Sequence, residues 1–387
     1  MPQKDRKCAG ADCSALIYRD NQSGLCRRCL DARLKPGAPA VAVETPVTAA
    51  ETLAADREKR KLQSELSNIK ARYAESLKTI EGQDADLRAM NVMASGQAAF
   101  EIVPVQGQSE NEGTAVIVLS DWHSEEIVKP GSVNGLNEYT LDICTRRATK
   151  MFQAALNLVQ LLEARIAIPN VVLALLGDFI TGNIHGEENA EMNALQPMHA
   201  ITFAMNLLIS GIDFLLKNTT ATFVIPCHSG NHTRTTKTTR FGAENGHSLE
   251  YLMYLTLAAH YRHEKRITFL ISEGMHSYVD LYAGQPGATT IRFHHGHAVK
   301  YGGGVGGIYI PVNKAIAQWS KARHADLDVF GHFHQMRDGG NFLCNGSLIG
   351  YNTFALSIKA DYEKPKQLLF LIDKKRGRTC TWPILVN

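Results

Sequence analysis

Beyond residue 113, hydrophobic residues form short apolar runs separated by longer segments with helical spacing. Apolar runs of about four to eight residues bounded by turn residues are typical of buried strands. Such runs occupy 114–119, 171–176, 222–225, 267–271, 277–282, 289–293 and 327–330, and three closing runs at 342–344, 367–372 and 379–385 read as antiparallel strands. Helical spacing fills 139–165, 193–217, 249–263 and 312–321. This alternation predicts an α/β body (α+β in its closing strands), with helices packed outside a largely buried sheet system.

The first 113 residues divide into segments of different composition. Residues 1–35 are polar and carry four cysteines, and residues 36–50 are rich in Ala, Pro, Val and Thr, which is typical of a linker. Residues 51–90 are charged and helix-prone, and residues 91–113 read as a second linker. The sequence therefore predicts a small N-terminal module, a linker, a helix, a second linker and a main domain at 114–387.

The helix predicted at 51–90 carries an apolar seam with a spacing of about 3.5 residues. The seam is formed by Leu62, Leu66, Ile69, Tyr73, Ile80 and Leu87, with Ser76 and Gln83 as polar gaps. This spacing favours a coiled coil and hence a homo-oligomer through residues 51–90. An amphipathic helix lying on the main domain would show the same pattern.

Composition and charge set limits on compartment and partners. The chain has 387 residues, 44% of them hydrophobic, and a net charge of +3, which is too mild to indicate nucleic-acid binding by itself. Residues 1–35 alone hold eight Lys and Arg against four Asp, a net +4, so the remainder is close to neutral. The N-terminus is charged and lacks the apolar core of a signal peptide, and the apolar runs are too short to span a bilayer. We therefore expect a cytoplasmic protein with no membrane partner.

The cysteines of residues 1–35 form two close pairs, Cys8 with Cys13 and Cys26 with Cys29. Four thiolates in two close pairs suit a tetrahedral structural Zn²⁺, and a segment this short needs a metal to hold a fold. We expect a four-Cys zinc knuckle here, with four free thiols in a disordered tail as the alternative. Arg27 and Arg28 would suit contacts to DNA or RNA phosphates, and protein contact or a solvated face are the other interpretations.

Side chains of the metal-ligand type follow five of the predicted strands. The motifs are Asp121-Trp122-His123, Gly177-Asp178, Gly230-Asn231-His232, His295-Gly296-His297 and Gly331-His332-Phe333-His334. Asp, Asn and His are ligands for borderline divalent cations, and loops at strand ends are where a sheet places its site. The glycines before Asp178, Asn231 and His332 would let the backbone turn sharply. In an extended segment, His332 and His334 would point to the same side, with Phe333 turned away.

This ordered set resembles the calcineurin-like metallophosphoesterase superfamily, whose motifs run Asp-x-His, Gly-Asp, Gly-Asn-His, His and Gly-His-x-His. The resemblance covers residues 114–350. Within the superfamily, residues 230–234 and 345–351 are most similar to phosphoesterases of bacteriophages and prophages that are related to DNA-repair exonucleases. The resemblance implies a four-layer αββα sandwich, with two sheets packed together and helices on both sides. It also places the protein in a bacterial host cell if a phage encodes it.

The resemblance implies ligands for two divalent cations. One cation would be held by Asp121, His123, Asp178 and His334, and the other by Asp178, Asn231, His295 and His332, with Asp178 bridging. His294 would replace His295 after a slip of one residue, but the family's histidine is commonly followed by Gly, which favours His295. Mn²⁺ is the metal that the resemblance favours, and Zn, Fe, Ni and Mg stay open.

The resemblance also implies a catalytic role for His232. A metal-bridging hydroxide would attack phosphorus in line, and His232 would protonate the leaving group. Many members carry Asp or Glu after this histidine, whereas this chain has Thr233. A carboxylate partner of His232 has to come from elsewhere, for example from Asp121, or be absent.

Three further residues are candidates for substrate contact. Arg234 lies close to His232 in sequence, His185 follows Asp178 by seven residues, and His297 follows His295. Each has a simpler interpretation as a loop or supporting residue. The function we expect is a nuclease or phosphodiesterase that hydrolyses DNA. The alternatives are a phosphatase or small-molecule (nucleotide) phosphodiesterase, and a scaffold that binds nucleic acid or a partner with vestigial catalysis.

Overall fold

The computed structural model describes residues 4–7, 13, 16–18, 49–94, 111–184, 191–301 and 306–387. The chain divides into two units, Met1–Pro104 and Val105–Asn387. In the first unit, strands β1 (Lys4–Lys7) and β2 (Leu16–Tyr18) pair antiparallel. Cys8, Cys26 and Cys29 lie outside the described residues, so the zinc knuckle stays a prediction.

A single long helix, α1 (Ala49–Ala94), makes up most of the described part of the first unit. It extends slightly beyond the predicted 51–90 at both ends. Every described side chain between Leu53 and Arg88 is exposed, including those of the apolar seam.

The second unit holds the remaining strands and helices. In chain order they are β3 (Glu112–Leu119), α2 (Leu141–Glu163), β4 (Ala167–Leu175), α3 (Pro197–Asn218), β5 (Thr222–Cys227), α4 (Leu249–His260), β6 (Ile267–Ile271), β7 (Ser277–Leu281), β8 (Thr289–Phe293), α5 (Tyr309–Trp319), β9 (Leu327–Phe330), β10 (Arg337–Asp338), β11 (Phe342–Cys344), α6 (Thr353–Ser357), β12 (Lys366–Asp373) and β13 (Gly377–Leu385). Short 3₁₀ turns lie at Pro130–Val133 and Asn245–His247. Helix α2 begins at Leu141 because the Thr140 side chain accepts a hydrogen bond from the N–H of Ile143 and caps the first turn.

The strands form two mixed sheets. The six-stranded sheet has the order β13-β12-β3-β4-β5-β6, in which β3 to β6 run parallel and β12 pairs antiparallel with both β3 and β13. The five-stranded sheet has the order β10-β11-β9-β8-β7, in which β8 and β9 run parallel. Residues 342–344 were predicted to form a closing antiparallel strand, and for β11 this is wrong in part. Strand β11 pairs parallel with β9, and it pairs antiparallel only with the short β10. The architecture is α/β.

Alternating residues of the central strands pack into different clusters. Val116 and Val118 of β3 share a buried cluster with Ile291 and Phe293 of β8, so the two sheets have a common core. Ile117, on the opposite face of β3, belongs to the cluster that includes α2, α3 and α4. On the five-stranded sheet, residues from β9 and β11 form a third cluster with α5.

Helix α3 is long and apolar enough to cross a membrane by length and composition, with a mean hydropathy of 1.5 over its most apolar window. Its buried side chains belong to the same cluster as those of α2. Gly211 lies directly against the Phe152 ring, which leaves no room for a larger residue there. These contacts are typical of a core helix of a globular protein.

Candidate metal centre

Five loops that follow parallel strands converge on one buried centre. They follow β3, β4 and β5 in one sheet and β8 and β9 in the other, as the sequence motifs predict. Their potential ligand atoms form three groups, each with all atoms within 4.8 Å of one another. The groups are Asp121, His123 and His334; His123, Asp178 and His232; and Asp178, His295 and His332. Because His123 and Asp178 each belong to two groups, the three groups form one continuous cluster that could hold metal ions.

The first group brings two imidazole nitrogens and a carboxylate together. His334 Nε2 lies 3.1 Å from His123 Nε2 and 3.4 Å from Asp121 Oδ1. Burial lowers the pKa of His123 well below its usual value, and the neighbouring His232 and His334 lower it further. His123 is therefore a neutral imidazole at physiological pH, the form that binds metal.

Thr181 fixes which nitrogen of His123 carries the proton. The Thr181 hydroxyl donates to the Glu126 carboxylate over 3.0 Å, because a carboxylate only accepts. The hydroxyl oxygen then accepts from His123 Nδ1, also at 3.0 Å. The lone pair of His123 is thus on Nε2 and faces the centre, and Asn352 holds the other oxygen of Glu126 at 2.9 Å.

The third group, Asp178 with His295 and His332, is built around Asp178. His295 Nε2 lies 3.0 Å from Asp178 Oδ2 and 3.2 Å from Asn231 Oδ1, while His295 Nδ1 faces the Leu176 carbonyl at 2.6 Å. Burial opposes the charged form of His295, but the Asp178 carboxylate outweighs burial and raises the pKa of His295 to about 10. A divalent cation bound by both side chains would displace that proton. This group of donors could therefore hold a metal ion.

The structure places His295, and not His294, beside Asp178. The His294 ring stacks on Phe330 with centroids 4.9 Å apart, and its Nε2 lies 3.6 Å from Asp328. Successive side chains at the end of a strand point to opposite sides, so only one of the two can enter the centre. His294 belongs to the packing around the β8–β9 pair.

Backbone strain is concentrated in this centre. Eight described residues other than glycine have a positive φ, and five of them are ligand candidates: Asp121 (56°), His123 (46°), Asp178 (53°), His332 (70°) and His334 (56°). Such conformations cost about 1–3 kcal/mol each and cluster at functional sites. The expectation that His332 and His334 lie in an extended segment is wrong, because both residues have a left-handed backbone conformation. Both still reach the centre, and Phe333 packs towards Phe330.

Glycines next to the ligands serve two different purposes. Gly177 has a φ of 87°, which makes the sharp turn before Asp178. Gly230 and Gly331 are not among the described glycines with a positive φ, and a different reason for glycine applies at these two positions. A Cβ on Gly230 would overlap the Asp178 carboxylate, and a Cβ on Gly331 would overlap the Asp121 carboxylate. These two glycines make room for the carboxylates.

His232 is held by the backbone. Its Nδ1 lies 2.9 Å from the Thr181 carbonyl oxygen, and its backbone N–H donates to Asp178 Oδ1 at 2.9 Å. Nδ1 therefore faces a backbone carbonyl, and not the carboxylate considered from the sequence, for example that of Asp121. The Asp121 carboxylate instead accepts from the backbone N–H of His332 at 3.0 Å.

Sequence reasoning missed Glu250, a buried carboxylate in the first turn of α4. It accepts hydrogen bonds from the N–H of Phe179 and of Gly230, each at 2.7 Å, and from the Thr233 hydroxyl at 3.1 Å. It therefore ties the Asp178 loop to the Asn231 loop. Burial, with a contribution from Asp178, raises its pKa to about 7. An acidic residue early in a helix is ordinary in sequence, so no motif revealed it.

The substrate-contact candidates have different surroundings. Arg234 donates to the Asn231 carbonyl oxygen and lies half-buried next to the centre. The His297 ring stacks on Phe241 at 5.4 Å, with its Nε2 3.2 Å from the Glu244 carboxylate. His185 lies outside the described residues, so its role stays a prediction.

A cavity of about 680 Å³ opens beside the centre. His332 and His334 form part of its wall, and aromatic side chains, among them Phe333, Tyr351 and Phe354, form much of the rest. A chemical group attached to a substrate at the centre would therefore lie next to this cavity.

No protein-family model matches this chain, and no curated protein matches it in sequence. Among solved structures, a hypothetical protein, PH1004, from Pyrococcus horikoshii OT3 is similar with a TM-score of 0.32 and 13% identity, over 69% of this chain and 89% of that one. The sulfate thiohydrolase SoxB from Thermus thermophilus has a TM-score of 0.30 and 8% identity, over 74% and 58%. The phosphopantetheinyl hydrolase PptH from Mycobacterium tuberculosis has a TM-score of 0.25 and 12% identity, over 61% and 90%. Scores this low assign neither a fold family nor a function to this chain.

Proposed function

We propose that this protein is a metal-dependent phosphoester hydrolase with two divalent cations. The observation that carries the proposal is the continuous cluster of buried donors in which Asp178 is common to two ligand groups. A scaffold with vestigial catalysis would gain nothing from five strained ligand residues, each of which costs stability. We also propose that the second unit is a four-layer αββα sandwich, supported by the core shared between the sheets and the helices packed on their other faces.

Each cation would have four protein ligands. Asp121, His123, Asp178 and His334 would hold one, and Asp178, Asn231, His295 and His332 the other. Cations held there would supply Lewis acidity at a phosphoryl group and activate water for attack. Mn²⁺ is the first candidate, because the resemblance to the metallophosphoesterase superfamily favours it. The imidazole and carboxylate ligands leave Zn, Fe, Ni and Mg open.

His232 is the residue we propose to protonate the leaving oxygen. With Nδ1 committed to the Thr181 carbonyl, Nε2 is the ring nitrogen that can transfer a proton. His232 also belongs to the ligand group of His123 and Asp178, so metal binding is the competing role. His232→Ala should reduce turnover by about 10²-fold or more while both ions stay bound, because general acids contribute rate factors of that order. Loss of an ion from this variant would instead assign His232 as a ligand.

For the substrate, we propose DNA phosphodiesters first. The cationic residues Arg234, Lys237 and Arg240 lie in the loop that carries His232, and Lys237 and Arg240 are exposed. Such side chains favour a polyanion near the centre. The cavity of about 680 Å³ supports the alternative of a small phosphoester such as a nucleotide. RNA is also a polyanion, so the same cationic side chains would attract it.

We propose further that residues 1–35 bind one structural Zn²⁺ through Cys8, Cys13, Cys26 and Cys29, and that this module adds affinity for nucleic acid. Removing residues 1–35 should weaken binding of DNA and reduce its salt dependence while sparing hydrolysis of small esters. Unchanged DNA affinity and salt dependence would contradict the proposed role.

The experiment that tests the activity is incubation of the full chain with Mn²⁺ and a panel of phosphoesters. The panel contains single- and double-stranded DNA, RNA, p-nitrophenyl phosphate and bis(p-nitrophenyl) phosphate. Cleavage of DNA and of the diester supports a nuclease. Cleavage of the monoester alone would make the protein a phosphatase, and no metal-dependent cleavage of any ester would overturn the proposal.

A further inference from the structure

The cavity beside His332 and His334 has features of a binding site for an aromatic heterocycle. Because its wall includes two candidate ligands, an organic group bonded to a phosphate at the centre can extend directly into it. Its volume of about 680 Å³ lies within the range of about 300–1,000 Å³ that small-molecule sites occupy.

Aromatic rings at the cavity are exposed where packing alone would bury them. Phe354 on α6 is 60% exposed, and Tyr309 on α5 is 39% exposed. Phe333 and Tyr351 add two more rings to the same wall. Exposed aromatic faces are suited to stacking on a nucleobase, since every base presents a π-face.

The charges at the cavity leave one cation without a partner. Arg337 lies 3.8 Å from both Asp361 and Glu363, and Glu363 also pairs with Lys366 at 3.2 Å. Lys359 also lines the cavity, and no ion pair of it is found in the part of the chain that the structure describes. The cavity thus offers aromatic rings that can stack on a neutral group, and the Lys359 ammonium group that can contact an anion.

The backbone at Lys359 is unusual for that residue. Lys359 follows helix α6 with a φ of 59°, and the N–H of Ala360 donates to the Ala355 carbonyl at 2.9 Å. This is the helix-ending motif in which glycine is the usual residue at the left-handed position. A lysine there is less stable than glycine, which points to a use for its ammonium group.

We propose that this cavity binds the nucleobase of a nucleotide whose scissile phosphate lies at the metal centre, with Lys359 contacting an adjoining phosphate. The proposal rests on the proposed phosphoesterase function and names its substrate class as nucleotide phosphoesters. The nucleotide unit could belong to a polynucleotide or to a free nucleotide, and both present the same base and phosphate chemistry.

Two chromogenic diesters with the same leaving group test the base site. Thymidine 5′-(p-nitrophenyl) phosphate carries a nucleoside, whereas methyl p-nitrophenyl phosphate does not. We expect the full chain with Mn²⁺ to favour the thymidine ester in kcat/KM by about tenfold or more, since stacking of one base is worth that order. Phe354→Ala should remove most of this preference through KM, and Phe354→Trp should restore it.

Leu356→Ala is the matched control, because Leu356 is exposed on the same helix and does not line the cavity. It should keep the preference. Equal kcat/KM for the two esters in the unmodified chain would overturn the base site while leaving the hydrolase intact. Failure to hydrolyse either ester would instead count against the proposed function.

Lys359→Gly tests the phosphate contact and distinguishes the source of the nucleotide. Glycine suits the left-handed backbone, so thermal stability should stay equal or rise. The affinity for oligothymidylate should fall, with the slope of log K against log salt reduced by about 0.7 for one lost contact to a single strand. A loss seen with thymidine 3′,5′-bisphosphate but not with oligothymidylate would assign the site to free nucleotides. No loss with either ligand would refute the role of Lys359.

Discussion

His123 Nε2 and His334 Nε2 lie 3.1 Å apart, although 211 positions separate the two residues in the chain. Thr181 holds the proton of His123 on Nδ1, so a lone pair faces His334. Asp121 Oδ1 lies 3.4 Å from the same atom of His334. These atoms could hold a metal cation, because imidazole and carboxylate groups are ligands for divalent metals.

Substituting either histidine should remove an ion. We expect His123→Ala and His334→Ala each to lower the amount of bound Mn²⁺ by about one ion per chain, with hydrolysis falling by about 10²-fold or more. Metal analysis after dialysis measures the first effect. His324→Ala is the matched control, since the His324 side chain is 74% exposed and belongs to none of the five motifs. Full Mn²⁺ occupancy in His334→Ala would show that the pair does not bind metal.

Gly331 should tolerate no side chain. In Gly331→Ala the new methyl group would overlap the Asp121 carboxylate and Ser120, so we expect about 1–3 kcal/mol of destabilisation and weaker Mn²⁺ binding. Gly246→Ala introduces the same methyl group where no atom lies within 4 Å, and it should behave like the unmodified chain. Thermal unfolding and Mn²⁺ titration of both variants make the comparison. Equal behaviour of the two would mean that the Asp121 loop is not as close to Gly331 as the structure has it.

Glu250 should position two ligand loops without touching substrate. Glu250→Gln keeps the shape but places an amide N–H₂ against a backbone N–H of Phe179 or Gly230, which leaves a buried donor unpaired. We expect a loss of about 1–3 kcal/mol in the free energy of unfolding. Mn²⁺ affinity should fall with it, because Asp178 and Asn231 lie on the tied loops. Glu264→Gln, at a partly exposed carboxylate, serves as the control.

Helix α1 should associate with a second copy of itself. Leu62, Leu66, Ile69 and Tyr73 are each more than half exposed, and a lone helix with such a stripe is marginal in water. In a parallel dimer with Leu66 at the seam, Glu65 of one copy and Lys70 of the other flank it with opposite charges. We therefore expect the partner of this apolar stripe to be a second copy of the chain.

Light scattering of the full chain should give the mass of a dimer. The double variant Ile69→Lys with Ile80→Lys should be monomeric, whereas Leu53→Lys, outside the seam, should stay dimeric. A monomeric unmodified chain would contradict the coiled coil and favour the other interpretation of the seam, an amphipathic helix that packs within the chain.

The sequence predicted the parts of the site that depend on local patterns. Apolar runs located the strands, and the loops after β3, β4, β5, β8 and β9 bring together the residues of the five motifs, because parallel strands deliver their ends to one edge. The left-handed backbone of His332 and His334 was not predictable, since an L-residue rarely adopts it without tertiary support. The Thr181 and Glu250 contacts were missed because they join segments distant in sequence, and no local pattern encodes them. The pairing of β11 was predicted incorrectly for the same reason. Its parallel pairing with β9 depends on the strand order of the whole sheet, which no local pattern encodes.

The measurement that tests the central claim most directly is the number of Mn²⁺ ions bound by the full chain, compared with its Asp178→Asn variant. Equilibrium dialysis against Mn²⁺ followed by metal analysis gives this number. We expect two Mn²⁺ per chain, falling below one in the variant, because Asp178 belongs to ligand sets on both sides of the centre. One ion or none in the unmodified chain, or two ions in the variant, would contradict a binuclear centre bridged by Asp178.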